Sequence, residues 1–131
     1  MRVERGLPAV GSFPVASNPQ TTPPMTFERF WPAYLAEHRH RVNRALHLAG
    51  TFSYLTLLVA LLVLGRYAWL WAVPVVAYGF AWTGHFGIEK NRPATFKHPW
   101  LSFMGDHRMA WAMVTGRIDA EFERLKIPQL P

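Results

Sequence analysis

The sequence contains no cysteine, and charged residues are scarce. The absence of cysteine excludes disulfides, cysteine-ligated zinc and iron–sulfur clusters, so any bound metal must be held by histidine and carboxylate side chains. Charged residues make up 17% of the chain and hydrophobic residues 50%, whereas soluble domains carry about 25% charged residues. Six tryptophans, a residue type enriched at membrane interfaces, point the same way. This composition predicts a membrane protein.

The charge that remains is mostly positive. The formal net charge is +6, which suits contact with anionic lipid headgroups. The basic residues flank apolar runs and do not cluster on a recognition helix, so we expect membrane lipid as a partner and no nucleic acid. A length of 131 residues favours one domain.

Residues 1–24 are rich in Pro, Gly, Ser and Thr and show no helical or strand period. We expect a disordered leader there and a single membrane-embedded helical domain over residues 25–131. The leader lacks the apolar core of about 7–15 residues that a signal peptide needs. After it, aromatic residues at spacings of three and four over residues 26–40 predict an amphipathic helix at a membrane interface.

Two apolar runs follow, residues 45–65 and residues 67–88, and neither contains Asp, Glu, Lys or Arg. Each is long enough to cross a hydrocarbon core, which takes roughly 20 helical residues. Because only Arg66 separates them, they predict an antiparallel transmembrane hairpin. Two buried helices of a soluble bundle are the alternative, although such helices should show polar faces.

The predicted fold class is therefore all-α, an integral membrane protein with a transmembrane helical hairpin flanked by amphipathic interfacial helices. One or two further amphipathic helices are expected over residues 101–127. Basic residues flank both outer ends of the hairpin, and the positive-inside rule places those ends in the cytoplasm. They are Arg39, Arg41 and Arg44 before the first run and Lys90, Arg92 and Lys97 after the second.

Histidines mark the outer end of the predicted hairpin. His47 and His85 each lie nineteen residues from Arg66, so an antiparallel hairpin places them at equal depth. Ionisable residues at membrane depth are costly and are commonly functional. Asn43 precedes His47 by four residues and Glu89 follows His85 by four, which places each on the same helical face as its histidine.

A third histidine joins this pair if the chain bends. His38 would fall on the opposite side of a straight helix from His47, but a break near residues 38–43 would fold it over the mouth of the hairpin. His38, His47, His85 and Glu89 then converge, and neutral imidazole is a common metal ligand. Three hypotheses stay open from the residues alone: a non-haem metal site, a haem with His47 and His85 as axial ligands, and a membrane scaffold whose polar ends only anchor it.

The motifs around these histidines resemble a known family. The stretches "YLAEHRHRVNRALHLAG" and "GHFGIEKNRPATF" are similar to the small membrane-embedded, Fe(II)-dependent 2-hydroxy fatty acid dioxygenases. The family pattern falls on Tyr34, His38, Asn43, His47, Gly84, His85, Glu89, Lys90, Pro93 and Ala94. The resemblance extends over residues 26–118, and this version of the motif is typical of bacterial members. His40 and His107 lie off the pattern and His98 precedes a predicted turn, so none of the three is expected to bind metal.

The resemblance implies an iron enzyme that carries out the α-oxidation of a 2-hydroxy fatty acid. Its products would be CO2 and the acid one carbon shorter, with O2 as co-substrate. His38, His47 and His85 would be the Fe(II) ligands. The protein would lie in a bacterial inner membrane with the site at the cytoplasmic face, and whether it forms a homodimer is left open.

The remaining motif residues receive supporting roles under the same resemblance. Glu89 would be a fourth ligand or would fix the tautomer of a histidine, and Asn43 would orient a ligand. Both are therefore predicted to serve the catalytic centre. Lys90, Arg92 and Tyr34 are the expected substrate contacts.

Overall fold

The computed structural model describes residues 23–131, and the regular elements in this range are helices and short helical turns. The predicted all-α class is confirmed for this range. Apart from Pro23 and Pro24, which are exposed and non-helical, the predicted leader lies outside the described residues. Five α-helices occur within residues 23–131: α1 (Phe27–Ala36), α2 (Arg41–Val63), α3 (Ala72–Trp82), α4 (Pro99–Val114) and α5 (Ile118–Arg124).

The aromatic stripe of α1 forms the centre of the protein core. Phe30, Trp31 and Tyr34 are buried and cluster with Met109 of α4 and Phe122 of α5. The spacing of these α1 residues places them on one face of the helix. The prediction that this face lies at a membrane interface is wrong for these residues, because other helices of the protein cover them.

A bend at residues 37–40 separates α1 from α2, as predicted. It places His38 between the two helices. Arg44 fixes the bend, since its Nη1 atom donates hydrogen bonds to the carbonyl oxygens of His38 at 2.9 Å and Arg39 at 2.7 Å. The Arg44 guanidinium is buried and lies 4.6 Å from the ring centroid of Phe122, so this turn is tied to α5.

Helices α2 and α3 pack against each other as an antiparallel hairpin. Gly50 lies opposite Phe80, and a Cβ atom added at Gly50 would be only 2.7 Å from the Phe80 Cβ. His47 lies opposite His85. From the first pair to the second, the residue number falls in α2 and rises in the second apolar run, as an antiparallel hairpin requires. The pairing predicted from equal distance to Arg66 is confirmed.

The second apolar run is not one continuous α-helix. It begins with a 3₁₀ turn, Tyr67–Trp69, continues as α3 and ends in a π-helical turn, Thr83–Glu89. Within residues 23–131, only Arg41–Val63 is a helix long and apolar enough to cross a membrane by length and composition. The transmembrane hairpin therefore stays a prediction.

The C-terminal part folds back onto the start of α2. One or two helices were expected over residues 101–127, and the structure has two, α4 and α5; residues 127–131 after them are not helical. The amide of Leu130 donates to the carbonyl of Arg39 at 2.9 Å, and the amide of Arg41 donates to the carbonyl of Leu130 at 3.2 Å. This C-terminal tail thus braces the bend that carries His38.

Candidate metal centre

Three buried imidazoles meet at one end of the hairpin. His38 comes from the bend, His47 from α2 and His85 from the π-helical turn. The ring centroids of His38 lie 4.5 Å from those of His47 and His85, and the latter two are 5.1 Å apart. One nitrogen from each ring lies within 4.8 Å of the others. The structure thus brings together the three histidines that were predicted to converge.

His38 is held as a neutral imidazole with its Nε2 atom free. Its Nδ1 atom donates a hydrogen bond to the backbone carbonyl of Tyr34 at 2.6 Å. A carbonyl oxygen can only accept, so the ring proton lies on Nδ1 and the lone pair on Nε2. Burial, together with the nearby His47 and His85, holds the pKa of His38 well below its ordinary value. A neutral ring is the form that binds a metal.

His47 is oriented by Asp106 of α4. The Nδ1 atom of His47 donates to Oδ1 of Asp106 at 2.8 Å, and the same oxygen accepts a hydrogen bond from the Tyr34 hydroxyl. Burial and the adjacent Asp106 raise the pKa of Tyr34 well above its ordinary value, so the hydroxyl remains a donor. This arrangement leaves Nε2 of His47 free and places a negative charge behind the ring.

His85 is oriented by Asn91, which follows the π-helical turn. The Nδ1 atom of His85 lies 2.7 Å from Oδ1 of Asn91. The Asn91 amide nitrogen donates to the carbonyl of Glu37 at 2.8 Å, which identifies the amide oxygen as the group that faces His85. The Nδ1 proton of His85 is thereby fixed, and its Nε2 lone pair remains available.

A metal ion fits this set of atoms. The Nε2 atoms of His38 and His47 are 3.3 Å apart, and the Nδ1 atom of each ring is engaged elsewhere. Two nitrogens that each lie ~2.0–2.1 Å from one metal ion, at right or tetrahedral angles, are about 3 Å apart. The His38, His47 and His85 cluster could therefore hold a metal ion.

Comparison with known proteins gives this cluster a family context. The family model described as "2-hydroxy-palmitic acid dioxygenase Mpo1-like" matches residues 25–118. The chain belongs to this Mpo1-like family. The matched span contains the three histidines and their Nδ1 partners. No curated protein and no solved structure matches the chain.

Glu89 and Asn43 lie beside the cluster and contact each other. Oε1 of Glu89 accepts hydrogen bonds from the backbone amide of His40 at 2.7 Å and from the Asn43 side-chain amide at 3.3 Å. Glu89 therefore caps the start of α2, where a negative charge is favourable. All three Nδ1 atoms of the cluster have other partners, so the structure does not place Glu89 where it would fix a histidine tautomer. Its predicted role as a fourth ligand stays a prediction.

Asn43 also lies against Gly84, the glycine that precedes His85 in the family motif. A Cβ atom at Gly84 would overlap Oδ1 of Asn43, so the side chain at position 84 must be absent for the helices to close here. Asn43 is fully buried, and its Oδ1 atom has no hydrogen-bond partner among the described residues. Its predicted role in orienting a ligand stays a prediction, and its visible contacts join α2 to the π-helical turn.

The predicted substrate contacts lie in different environments. Tyr34 is fully buried, stacks on His38 at 4.1 Å between ring centroids and gives its hydroxyl to Asp106. It therefore supports the cluster and does not present a free hydroxyl to a substrate, which corrects the prediction. Lys90 and Arg92 are exposed, so both remain candidates for a substrate carboxylate.

The histidines outside the cluster have protein partners. His40 precedes α2 and contacts the C-terminal tail through the carbonyl of Pro131 at 3.1 Å. His98 precedes α4 and lies edge-on to Phe30. His107 accepts a hydrogen bond from the Tyr54 hydroxyl at 2.6 Å. None of the three belongs to the cluster of described residues that could hold a metal ion.

Two supporting residues were not predicted from the sequence. Asp106 and Asn91 orient His47 and His85, yet neither was identified among the motif positions. Asp106 is the only acidic residue in α4, a helix with mostly apolar residues, and a single carboxylate in such a helix is a usable signal because an ionised group seldom lies there unpaired. Asn91 follows Glu89 in the Mpo1-like motif and carried no comparable signal.

Proposed function

We propose that this chain is an Fe(II)- and O2-dependent dioxygenase that acts on 2-hydroxy fatty acids. The family description names a dioxygenase and 2-hydroxy-palmitic acid. The single observation that carries the proposal is the triad of buried histidines, each with its Nδ1 atom bound to another group, so that Nε2 of each ring remains for a metal ion. Three ligands of this kind leave further coordination positions open, as oxygenases of the non-haem iron class require.

The charges of the site suit a hydroxy acid. Three neutral imidazoles do not cancel the charge of a divalent cation, and Asp106 reaches only the far side of His47. A carboxylate with an adjacent hydroxyl supplies a negative charge and two oxygen donors at once. When bound there, Fe(II) would activate O2 beside the chelated substrate. The balanced reaction is RCH(OH)COOH + O2 → RCOOH + CO2 + H2O, in which the bond between C1 and C2 breaks.

The roles of the protein residues follow from their contacts. Tyr34, Asp106 and Asn91 hold the three rings in the tautomer that keeps Nε2 available. We propose His38, His47 and His85 as the ligands, with Asn43 and Glu89 fixing the approach of the helices that carry them. Lys90 and Arg92 follow the π-helical turn and would attract the substrate carboxylate.

A membrane location supports a lipid substrate. Only 22% of the most apolar window of α2 is buried within the protein, and a core helix of a soluble protein would be mostly covered. Large apolar side chains face outward along the hairpin, among them Phe52, Val59, Val63, Trp71 and Val75. We infer that bilayer lipid covers these faces and that the hairpin inserts with the histidine cluster towards one surface, the cytoplasmic one by the distribution of basic residues.

The geometry disfavours the haem hypothesis. Axial ligation by His47 and His85 needs a porphyrin between the two rings. The ring centroids of His47 and His85 are only 5.1 Å apart, and His38 packs at 4.5 Å from both, so no space for a porphyrin remains between them. One nitrogen from each of the three rings lies within 4.8 Å of the others, which suits one metal ion.

Turnover in vitro tests the proposal. Protein purified in detergent would be loaded with Fe(II) without oxygen and mixed with 2-hydroxypalmitate, and O2 would then be admitted. Mass spectrometry should find pentadecanoic acid, with CO2 released from C1 of a carboxyl-labelled substrate. Palmitate, which lacks the hydroxyl, should not react under the same conditions.

The matched variants are His85→Ala and His98→Ala. His85→Ala removes a proposed ligand and should abolish formation of the shortened acid. His98→Ala removes a histidine outside the cluster and should leave the amount of shortened acid unchanged. If iron-loaded wild-type protein forms no shortened acid from 2-hydroxy acids of 8 to about 20 carbons, the proposed activity is wrong.

A further inference from the structure

A cavity of about 230 Å³ lies among α2, α3 and α4. Ala77 and Ala81 line it from α3, Tyr54 from α2, and Phe103, Asp106 and His107 from α4. Asp106 belongs both to the cavity wall and to the support of His47. The cavity therefore borders the carboxylate that orients His47.

The wall is suited to an apolar ligand. Ala77 and Ala81 are four residues apart on α3, so their small side chains share one face and leave space beneath it. The side chains of Tyr54 and His107 in the wall already have partners. Tyr54 donates its hydroxyl proton to Nε2 of His107 at 2.6 Å, and Nδ1 of His107 donates to the carbonyl of Phe103 at 2.8 Å. A ligand here need not supply hydrogen bonds to these two side chains.

One end of the cavity lies closer to His85 than the other. Ala81 lies four residues before His85, whereas Val73, which also lines the cavity, lies nearer the tip of the hairpin. From Val73 to Ala81 the helix rises by about 12 Å. An extended alkyl chain advances ~1.25 Å per carbon, given C–C bonds of about 1.52 Å, so a stretch of about ten carbons would fit along it.

We propose that this cavity binds the carboxyl-proximal part of the fatty acyl chain of the substrate. The proposal rests on the proposed function for the identity of the ligand. The acid head would lie at the Ala81 end, one helical turn before His85, and the chain would run towards Val73. Longer chains would leave the cavity near the tip and continue into the surrounding lipid.

Photoaffinity labelling tests this placement without turnover. Metal-free protein in lipid nanodiscs would be irradiated with palmitic acid carrying a diazirine at C4 or at C11, and the labelled peptides would be mapped. The C4 probe should label residues around Ala81 and Phe103, and the C11 probe residues around Val73. Unlabelled 2-hydroxypalmitate should compete with both.

A phosphatidylcholine carrying the same diazirine separates the ligand from bulk lipid. It should label outward residues such as Val59 and Trp69 and should not be displaced by 2-hydroxypalmitate. The proposal is overturned if the free acid labels only outward residues, if both probes give one pattern, or if competition fails. Shortened acid formed without cavity labelling would overturn this proposal alone, and competed cavity labelling without turnover would overturn only the proposed function.

Cavity-filling variants give a second readout. Ala81→Phe should weaken binding of the acid about tenfold or more, because each methylene excluded from the cavity costs roughly fourfold in affinity. Ala49→Phe adds the same group to an exposed position of α2 and should change binding less than twofold. If Ala81→Phe fails to fold by circular dichroism, Ala77→Leu makes the same test. Unchanged labelling in a folded cavity variant contradicts the proposal.

Discussion

The Nδ1 atom of His47 lies 2.8 Å from Oδ1 of Asp106, although 59 residues separate them in the sequence. The same oxygen accepts the hydroxyl proton of Tyr34. One carboxylate therefore joins α1, α2 and α4 directly behind a proposed metal ligand. It orients the ring of His47 and places a negative charge beside it, and both effects would strengthen metal binding.

Replacing this carboxylate should weaken metal binding more than folding. Asp106→Asn keeps the size of the side chain but removes the charge behind His47. We expect a loss of about 10–100-fold in Fe(II) affinity, the usual effect of removing a group that supports a ligand. Competition with a chelator under anaerobic conditions measures it.

Asp119→Asn is the matched control. Asp119 is exposed and accepts a hydrogen bond from Gln129 at 3.0 Å, so the same chemical change there should leave the iron affinity unchanged. Equal affinities for the Asp106→Asn and wild-type proteins would show that Asp106 is not needed to orient His47.

The pairing of His47 with His85 was predictable because a tight antiparallel hairpin fixes depth by residue count. That His38 joins this pair was predictable only on the condition that the chain bends between α1 and α2. That bend is held by Arg44 and the C-terminal tail, and the contacts of the tail lie about 85 residues or more away in sequence.

The supporting atoms were not predictable for a physical reason. Asp106 reaches His47 only through the packing of α4 against α2, and Asn91 reaches His85 only because a π-helical turn precedes it. Neither contact follows from helical periodicity. The interfacial interpretation of α1 failed in a related way, because an aromatic face that suits a membrane also suits a protein core, and only tertiary contacts distinguish them.

A side chain at position 84 should disturb the site. In Gly84→Ala, the added Cβ atom would overlap Oδ1 of the buried Asn43, and overpacking of this kind costs about 1–3 kcal/mol. We expect a lower midpoint of thermal unfolding in detergent and weaker iron binding.

The control for this change is Gly79→Ala. Position 79 lies in α3 with no atom within 4 Å of an added Cβ, so alanine there should be neutral or should stabilise the helix by roughly 0.5–1 kcal/mol. Equal stabilities for the two variants would argue against the close contact between Gly84 and Asn43.

The C-terminal tail should hold the bend that carries His38. Deletion of residues 128–131 removes the hydrogen bonds of Arg39 to Pro128, Arg44 to Gln129 and Arg41 to Leu130. Amide hydrogen exchange over residues 38–41 should become faster, since local opening no longer breaks these bonds. Exchange in the middle of α2 should stay slow. If the bend exchanges at the wild-type rate after deletion, the tail does not brace it.

The ionisation of Glu121 should link α5 to α1 in a pH-dependent way. Burial opposes its ionisation, but hydrogen bonds from Trp31 and Arg124 and the charge of Arg108 outweigh burial and lower the pKa below its ordinary value of 4.5. A lowered pKa means that this stabilisation is present above pH 4.5 and is lost as the pH falls through the folded-state value.

Glu121→Gln should therefore reduce the free energy of unfolding by about 1 kcal/mol at pH 7, the typical worth of a partly exposed charged hydrogen bond. The difference from wild type should shrink at pH 3.5. Glu123→Gln, at an exposed neighbouring position, should show no such dependence. If Glu121→Gln and wild type differ by the same free energy of unfolding at both pH values, the charge of Glu121 does not stabilise the fold.

Metal binding itself should stabilise the fold, because the three proposed ligands come from segments that separate on unfolding. His38 lies in the bend, His47 in α2 and His85 in the π-helical turn. A ligand present at 100 times its dissociation constant stabilises the native state by about 2.7 kcal/mol, so Fe(II) under anaerobic conditions should raise the unfolding midpoint by several degrees. His85→Ala should lose this shift and His98→Ala should keep it. A shift of equal size in His85→Ala would place the metal elsewhere, because the two variants differ in whether the removed imidazole faces the cluster.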